Sequence, residues 1–283
     1  MLSDRTLDHL RGVIDAPNLE GTRYELIEEI GRGGMGVVYL AQDNELRRRV
    51  ALKVLNSPEE ARTMASLEHP GIVPVHDAGA LPDGRTFYAM KFVEGTRLDA
   101  FRETMPSLAD RMRIFARICE PIAFAHSRNV IHRDLKPANV MIGAFGEVLV
   151  LDWGTAGRTD APTATMAGTE GYMAPEQSTG ITDARTDIYS LGKVLEYLLN
   201  PSDPKPVLAI AAKAAHPDPR MRYGSVVELA EDAMRFLDSC AVMAYQESLF
   251  ERGARWISRN RTLLALILSY LLVRTAIFFF AKR

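Results

Sequence analysis

The stretch of sequence that decides the fold is His132-Arg133-Asp134-Leu135-Lys136-Pro137-Ala138-Asn139. Two shorter blocks follow it in order, Asp152-Trp153-Gly154 and Ala174-Pro175-Glu176. All three lie in a loop-rich section, residues 132–175, within a part of the chain that is otherwise helical by pattern. Apolar residues recur there at helical spacing: Ile114, Ile118, Ile122 and Ala125.

The part of the chain before this region has a strand-like pattern. Residues 24–55 form short β-like runs broken by glycines or charged turns, which predicts an antiparallel sheet. A helix is predicted to run to about Leu67. Ser57 is its expected N-cap, and Pro58 occupies the first helical position. Strands are predicted again at residues 72–75 and 87–92. A small strand-bearing part before a larger helical part predicts an α+β fold of two lobes with a cleft between them.

A glycine-rich run begins at Gly31 and reads Gly31-Arg32-Gly33-Gly34-Met35-Gly36-Val37-Val38. Glycines let the backbone approach phosphates closely and turn N–H groups toward anionic oxygens. Dinucleotide-binding folds share this spacing, but there a helix follows the last glycine. Here the chain continues as β structure to Leu40, which favours a hairpin lid over a nucleotide. A glycine-rich hairpin without a ligand is the alternative that this run leaves open.

Lys53 lies in a predicted apolar strand, Val50-Ala51-Leu52-Lys53. Alternation puts Ala51 and Lys53 on one face of the strand. A buried ammonium needs an anionic partner, which phosphate oxygens and a helix carboxylate would supply. A solvated lysine at a strand edge is the other interpretation of this short motif.

Taken together in this order, the glycine run, Lys53 and the three later blocks resemble the protein kinase family over roughly residues 24–238. Lys136 makes the resemblance closest to the Ser/Thr-specific branch. The runs G-R-G-G-M-G-V-V-Y and G-Y-M-A-P-E-Q are similar to bacterial Ser/Thr kinases of the eukaryotic-like type. The resemblance implies a bilobal fold with a small β-rich N-lobe and a larger helical C-lobe, and it implies ATP and Mg²⁺ in the cleft.

The resemblance also implies catalytic roles, since positioning and charge neutralisation do most of the work in phosphoryl transfer. Asp134 would accept the proton of the substrate hydroxyl, and Lys136 would stabilise charge on the transferred group. Asn139 and Asp152 would bind Mg²⁺ through oxygen, and Lys53 would hold the phosphates. The residues implied around ATP are Ile30, Gly31, Gly33, Gly36, Val38, Ala51, Lys53, Glu60, Met90 and Val93.

Further positions follow from the same resemblance. Met90 falls at the gatekeeper position beside the adenine, and Phe92-Val93 would form the hinge. Asp187 begins the motif of a buried helix that anchors the catalytic loop. Arg222 is expected to pair with Glu176.

The chain departs from the family pattern in three places. Only seven positions separate Lys53 from Glu60, so the regulatory helix must start abruptly, and a capping box with Ser57 competes for the Glu60 carboxylate. Trp153 stands where a phenylalanine is usual. After Asn200 the chain leads almost directly to Val207, so a further helix that often docks substrates or partners is expected to be missing and the C-lobe shortened.

Three threonines lie between Asp152 and Ala174. Thr163 and Thr165 are candidate sites of activating phosphorylation, with Arg133 as the charge partner of the phosphate; solvated loop residues are the equally weighted alternative. Thr169 is expected to line the site of the substrate hydroxyl.

Composition limits the other readings. The chain has 283 residues, 25% of them charged, and a formal net charge of −2, so we expect no nucleic-acid partner. Its two cysteines, Cys119 and Cys240, fit neither a disulfide framework nor a zinc site. Residues 1–20 are expected to form a leader without assigned function, and no secretory signal is predicted. The kinase part is therefore expected in the cytoplasm.

The C-terminal part predicts a membrane attachment. Residues 262–281 form an apolar stretch of about 30 Å as a helix, enough to cross a hydrocarbon core. Residues 239–261 form a basic juxtamembrane segment with four arginines before the stretch, and Trp256 suits the interface. Arg274 inside the stretch opposes spanning. A single-pass helix is predicted, and an interfacial amphipathic helix or a face packed on a partner stay open.

The sequence thus favours a membrane-associated Ser/Thr kinase that acts on protein hydroxyls. The rival is a pseudokinase scaffold that binds nucleotide and a partner without transfer, motivated by the short regulatory helix and the missing docking helix. A homodimer through the N-lobe or the tail is a further expectation.

Overall fold

A computed structural model describes residues 16–33, 36–55, 58–104, 107–158, 168–180 and 182–281. Within these ranges a five-stranded antiparallel sheet comes first in the chain, and most helices follow it, as the α+β pattern predicts.

The N-terminal lobe is built on this sheet, whose strand order is β1-β2-β3-β5-β4. Apolar and β-branched residues dominate β3, and six consecutive residues of it, 50–55, are buried, so both faces of this central strand are covered. In the register of the sheet, Lys53 lies between Val38 of β2 and Tyr88 of β5. Its strands are β1 (Tyr24–Gly33), β2 (Gly36–Asp43), β3 (Arg48–Leu55), β4 (Val75–Ala80) and β5 (Thr86–Lys91).

The glycine-rich run is the hairpin between β1 and β2, in which Gly33 pairs with Gly36. Gly36 has φ +143°, and a Cβ there would lie 2.3 Å from the carbonyl oxygen of Val54. Only glycine fits such a close approach in that backbone conformation. A strand follows Gly36, so the dinucleotide-fold alternative is wrong.

The strand predicted at residues 72–75 is wrong in position. Ile72 makes one isolated parallel bridge to Val150, and β4 starts only at Val75. Pro74 explains the shift, because it has no N–H to donate to a ladder, although its carbonyl accepts a hydrogen bond from Lys91 N.

The helix after β3 is short. This helix, α1 (Glu59–Ser66), buries Ala61 and Met64 against the core that the two lobes share. Pro58 is its N-cap, so the helix starts one residue later than the sequence pattern predicts.

In the described part of the C-terminal lobe, five α-helices pack around a large apolar core. Helix α3 packs against α6, and α4 against α5. Gly192 of α4 permits the second contact, since a Cβ there would lie 2.5 Å from Ala215 N. The helices are α2 (Leu98–Phe101), α3 (Leu108–Ser127), α4 (Ala184–Leu198), α5 (Lys205–Ala214) and α6 (Val226–Leu237).

The strands of two small sheets flank the first two polar blocks. One has the order β6-β8-β9, and the other pairs β7 with β10. The loops that leave these short strands hold the residues of the quoted stretch. The strands are β6 (Gly95–Arg97), β7 (Val130–Ile131), β8 (Val140–Gly143), β9 (Val148–Val150) and β10 (Gly157–Arg158).

The C-lobe is shortened as expected, because a loop of six residues joins α4 directly to α5. Arg111 of α3 closes this loop: its Nη1 donates to Asp203 Oδ2 at 2.8 Å and to the Leu198 carbonyl at 2.7 Å. Asp203 Oδ2 also accepts from Asn200 N. The Arg111 and Asp203 side chains are 10% and 11% exposed, so the ion pair that closes this connection is largely shielded from water.

The last two described helices are α7 (Leu249–Arg259) and α8 (Arg261–Ala281). In α8, the window Arg261–Phe278 has a mean hydropathy of 1.7, and none of it is buried within the molecule. By length and composition, this helix is able to cross a membrane.

Candidate active site

Lys53 forms the junction between the two lobes. Its Nζ donates to Glu60 Oε1 of α1 and to Asp152 Oδ1 after β9, both at 2.7 Å. The Lys53 side chain is 6% exposed and that of Glu60 8%. Burial acts to lower the pKa of Lys53, but the carboxylates of Asp152 and Glu60 outweigh it and hold the pKa above its ordinary value. Lys53 therefore stays charged, and the solvated-edge alternative is wrong.

The Asp152 carboxylate is ionised in this arrangement. Burial acts to raise its pKa, but the Lys53 ammonium and its hydrogen bond prevail, so the pKa lies below the ordinary value. The side chain keeps 42% of its surface exposed. The residue has φ +58°, a left-handed conformation that costs energy for a non-glycine residue and turns its side chain to meet Lys53.

The sequence left open whether Glu60 bonds Lys53 or caps its own helix. In the structure the carboxylate reaches Lys53, and α1 has no side-chain capping bond at Pro58. Ser57, the other half of the proposed capping box, lies outside the described residues.

Tyr88 is a residue of this site that sequence reasoning missed. Its hydroxyl donates to Glu60 Oε1 at 2.8 Å, and the residue is 1% exposed. Burial, together with the nearby Glu60 carboxylate, raises the pKa of Tyr88 well above its usual value, so the hydroxyl remains a donor. The signal was available in the pairing of strands, because Tyr88 lies directly opposite Lys53.

Asp134 is bonded on both carboxylate oxygens. Lys136 Nζ donates to Asp134 Oδ2 at 2.7 Å, and the Thr169 hydroxyl donates to Asp134 Oδ1 at the same distance. Lys136 Nζ also donates to Thr169 Oγ1 at 2.6 Å. Asn139 Nδ2 donates to the Asp134 carbonyl at 2.8 Å. The four side chains thus form one network around the carboxylate.

Asp187 at the start of α4 holds the backbone of this loop. Its Oδ2 accepts from His132 N and its Oδ1 from Arg133 N, both at 2.8 Å, and His126 Nε2 bonds Oδ2 at 2.7 Å. Burial acts to raise the pKa of Asp187, but these donors lower it below the ordinary value. Arg133 has φ +70°, so the buried carboxylate stabilises a strained turn that presents Asp134 to the cleft.

Trp153 fills the space below the Asp152 loop. It is 1% exposed, and its ring lies 4.6 Å from the His132 ring between centroids. Its Nε1 donates to the Val150 carbonyl at 3.4 Å. The larger ring is accommodated in the core with Asp152 directed at Lys53.

Asn139 and Asp152 have oxygen atoms suited to Mg²⁺. The amide nitrogen of Asn139 is engaged with Asp134, which leaves the amide oxygen as the metal-binding atom. Asp152 bonds Lys53 through Oδ1, and within the described residues Oδ2 has no hydrogen-bond partner. Two hard oxygens suit a cation that takes its other ligands from water and phosphate. The described part of the chain has no cluster of three acidic, histidine or cysteine residues for a metal.

The residues expected around ATP line one face of the sheet and its edge. Ala51 pairs with Met90, Val38 with Lys53, and Gly31 with Val38. In the expected hinge, Val93 is buried, and among the described residues no backbone hydrogen bond engages it. The remaining expected residues, Ile30, Gly33 and Gly36, lie in or beside the β1–β2 hairpin above this face.

Two expectations concern the segment after Asp152. The Arg222–Glu176 pair is present, with distances of 2.6 and 2.8 Å in a bidentate arrangement. Thr163 and Thr165 lie outside the described residues. Arg133 is 4% exposed, and its Nε and Nη2 atoms have no hydrogen-bond partner among the described residues. Burial lowers the Arg133 pKa.

Fold and site together define a bilobal phosphotransferase with a lysine–carboxylate junction above a catalytic aspartate loop. A family model described as "Protein kinase domain" matches residues 24–247. The chain belongs to the protein kinase family, whose members use ATP and Mg²⁺.

Several similar proteins are kinases of bacteria. "Serine/threonine-protein kinase PknD" of Chlamydia felis is 32% identical over 86% of this chain and 34% of its own length. "Serine/threonine-protein kinase PknB" of Mycolicibacterium smegmatis is 40% identical over 70% of this chain and 36% of its own length. The PknB of Mycobacterium tuberculosis is 40% identical over 66% of this chain and 34% of its own length. The chain therefore spans about a third of the length of these curated relatives.

Proposed function

We propose that this chain is an active Ser/Thr protein kinase, which transfers the γ-phosphoryl group of ATP to a Ser or Thr hydroxyl of a protein. One observation carries the proposal: Asp134, Lys136, Asn139 and Thr169 form a single bonded network, and the Lys53–Glu60 pair is already closed. These bonds support the proposal, because they bring together the groups that the reaction would need.

In the proposed mechanism the substrate hydroxyl takes the place of the Thr169 hydroxyl at Asp134. Asp134 orients this oxygen toward the γ-phosphorus and accepts its proton as the new P–O bond forms and the bond to ADP breaks. Lys136 neutralises charge on the transferred group, and Lys53 holds the phosphates. Asn139 and Asp152 would bind Mg²⁺ through oxygen, and the ion supplies charge neutralisation on the phosphates.

The test is phosphoryl transfer from labelled Mg·ATP to the chain itself and to a generic basic protein. We expect incorporation in the wild type and its loss in Asp134→Asn, because the variant lacks the proton acceptor. An Asp83→Asn variant, changed at an exposed turn, is the matched control and should keep activity. Nucleotide binding without transfer in the wild type would favour the pseudokinase scaffold instead.

We also propose Thr163 and Thr165 as sites of activating phosphorylation. The buried guanidinium of Arg133 supports this, since two of its donor atoms have no partner among the described residues and a phosphate would accept from both. Phosphosite mapping after autophosphorylation tests the proposal. Phosphate on neither threonine in an active sample would contradict it.

For the membrane we propose a single crossing by residues 262–281, with residues 24–238 as a cytoplasmic kinase domain and residues 239–261 as the basic segment at the surface. The uncovered apolar surface of α8 supports it. Carbonate extraction of membranes that hold the full chain tests it: retention in the pellet supports a span, and release contradicts it.

A homodimer through the N-lobe or tail stays a prediction, to be measured by analytical ultracentrifugation in detergent.

A further inference from the structure

Helix α7 has two chemically different sides. At about 100° per residue, its apolar side chains fall on one face and its charged ones on the other. The apolar residues are highly exposed: Phe250 by 91%, Leu249 by 82%, Trp256 by 57% and Ile257 by 55%. No residue of the helix is buried. A helix that stabilised the kinase lobe would bury such a face.

The polar side of α7 is the one that contacts the rest of the chain. Glu251 accepts from the Tyr245 hydroxyl at 2.8 Å, and Arg255 pairs with Glu247 at 2.6 Å. Arg259 Nη1 lies 3.9 Å from Cys240 Sγ. The segment after α6 thus holds α7 by its charges and turns the apolar face away from the protein.

A single residue, Asn260, separates α7 from the proposed membrane helix α8. Its φ of −106° and ψ of 17° differ from helical values, so the two helices are not one regular rod. Position 260 therefore lies at the membrane surface if α8 spans. Arg252, in the first turns of α7, and Arg261, at the start of α8, are exposed and complement the charge of anionic headgroups.

We propose that α7 lies along the surface of an anionic lipid bilayer, with its apolar face in the headgroup–acyl boundary and with Arg252 and the adjacent Arg261 among the lipid phosphates. This inference rests on the proposed membrane attachment by α8. Its consequence is that the kinase lobe, joined to the polar side of α7 through the segment after α6, is held close to the membrane plane. A second copy of the chain on the same face is the competing occupant.

The chain has a natural reporter for this proposal, because it contains only two tryptophans and Trp153 is buried. The full chain is reconstituted in phosphatidylcholine–phosphatidylserine vesicles with lipids brominated near the headgroup end of the acyl chain. We expect emission from Trp256 to be quenched. Phe250→Trp in a Trp256→Phe background should be quenched about equally, because both positions share one face of a helix parallel to the surface.

An upright helix gives the opposite result. Positions 250 and 256 would then differ in height by about 9 Å, and the tryptophan at position 250 would escape quenching, which would overturn the proposal. Ser258→Trp in the same background is the matched control on the polar face and should be quenched much less. Equal quenching at positions 250 and 258 would also contradict the proposal, since it indicates no preferred face.

Lipid charge and the competing occupant are tested in the same preparation. Replacing phosphatidylserine by phosphatidylcholine should reduce quenching at position 250, and unchanged quenching would contradict the role of the arginines. If quenching at position 250 decreases as the protein-to-lipid ratio rises, a second copy of the chain covers this face. That result would overturn the proposal. Carbonate extraction distinguishes failure of the proposed membrane span from failure of the proposed α7 placement. A chain that is retained in the membrane but unquenched at position 250 refutes only the placement of α7.

Discussion

The carboxylate of Glu60 accepts two hydrogen bonds on one oxygen, from Lys53 Nζ and from the Tyr88 hydroxyl. The helix that carries Glu60 has eight residues and no side-chain cap, so its own backbone gives it little stability. The position of Glu60 therefore depends on its partners in β3 and β5.

We expect Tyr88→Phe to lower the kcat of phosphoryl transfer roughly three- to tenfold and to leave the KM for ATP nearly unchanged. The variant removes only the hydroxyl. A hydrogen bond to a charged group contributes about 1.5–3 kcal/mol to stability, and only part of this energy changes the activation free energy of phosphoryl transfer. Steady-state kinetics measures both constants.

Tyr24→Phe is the matched control for Tyr88. Tyr24 is 5% exposed, and its hydroxyl bonds Asp77 at 2.8 Å on the N-lobe away from Lys53. The Tyr24→Phe variant should lose about as much free energy of unfolding as Tyr88→Phe, and it should keep the wild-type kcat. Equal kcat in the two variants would contradict a positioning role for Tyr88.

Asp187 predicts a pH dependence of stability. Its folded-state pKa is below the ordinary 3.8, so its contribution is complete above that pH and is lost as the pH falls through the depressed folded-state value. Asp187→Asn should therefore reduce the free energy of unfolding by about 3 kcal/mol at neutral pH. The difference from the wild type should shrink below about pH 4.

Urea unfolding across this pH range measures the Asp187 effect. Asp238→Asn, changed at an exposed position, is the control and should stay within about 0.5 kcal/mol of the wild type at every pH. A constant difference between the wild type and Asp187→Asn down to pH 3 would show that the carboxylate is not the source.

The connection between α4 and α5 depends on one buried ion pair. Arg111→Ala leaves Asp203 without its main partner, and removing one member of a buried pair costs about 3–5 kcal/mol. We expect a loss of that order in the free energy of unfolding. Chemical denaturation measures it.

Arg113→Ala on the same helix is the control for Arg111. Its side chain is 62% exposed in a pair with Asp110, so the loss should stay below about 1 kcal/mol. Equal losses in the two variants would contradict the view that the Arg111–Asp203 pair closes the shortened lobe.

Among the elements, the β1–β2 hairpin and the helix pattern of the C-lobe were predictable because local periodicity sets both. The start of β4 was not, since Pro74 and the bridge from Ile72 to Val150 act between segments far apart in the chain. The choice of Glu60 between its own helix and Lys53 was also decided by packing, because β5 brings Tyr88 to the same carboxylate.

The molecule as a whole closes its cleft with charges from both lobes, Lys53 from the sheet and Asp152 from the loop after β9. A nucleotide bound with Mg²⁺ should therefore stabilise the chain. At a concentration about 100 times Kd the gain is about 2.7 kcal/mol, which corresponds to a Tm increase of roughly 5–10 °C.

Thermal denaturation with ATP, with and without Mg²⁺, measures this gain. Asp152→Asn should lose most of the Mg²⁺-dependent part of the shift, because it replaces the negatively charged carboxylate ligand by a neutral amide. Asp83→Asn, changed at an exposed turn between β4 and β5, should keep it. A wild-type Tm that does not respond to Mg·ATP would contradict nucleotide binding in this cleft.

The sequence by itself determined the family, the order of strands before helices, the catalytic blocks and the apolar helix α8, because each of these depends on residue type and spacing along the chain. Only the tertiary structure decided that Tyr88 holds Glu60, that Thr169 bonds Asp134, and that α7 turns its apolar face away from the kinase lobe. Such contacts join residues that are far apart in sequence or choose between two faces of one helix. They follow from how the elements pack, which no local pattern contains.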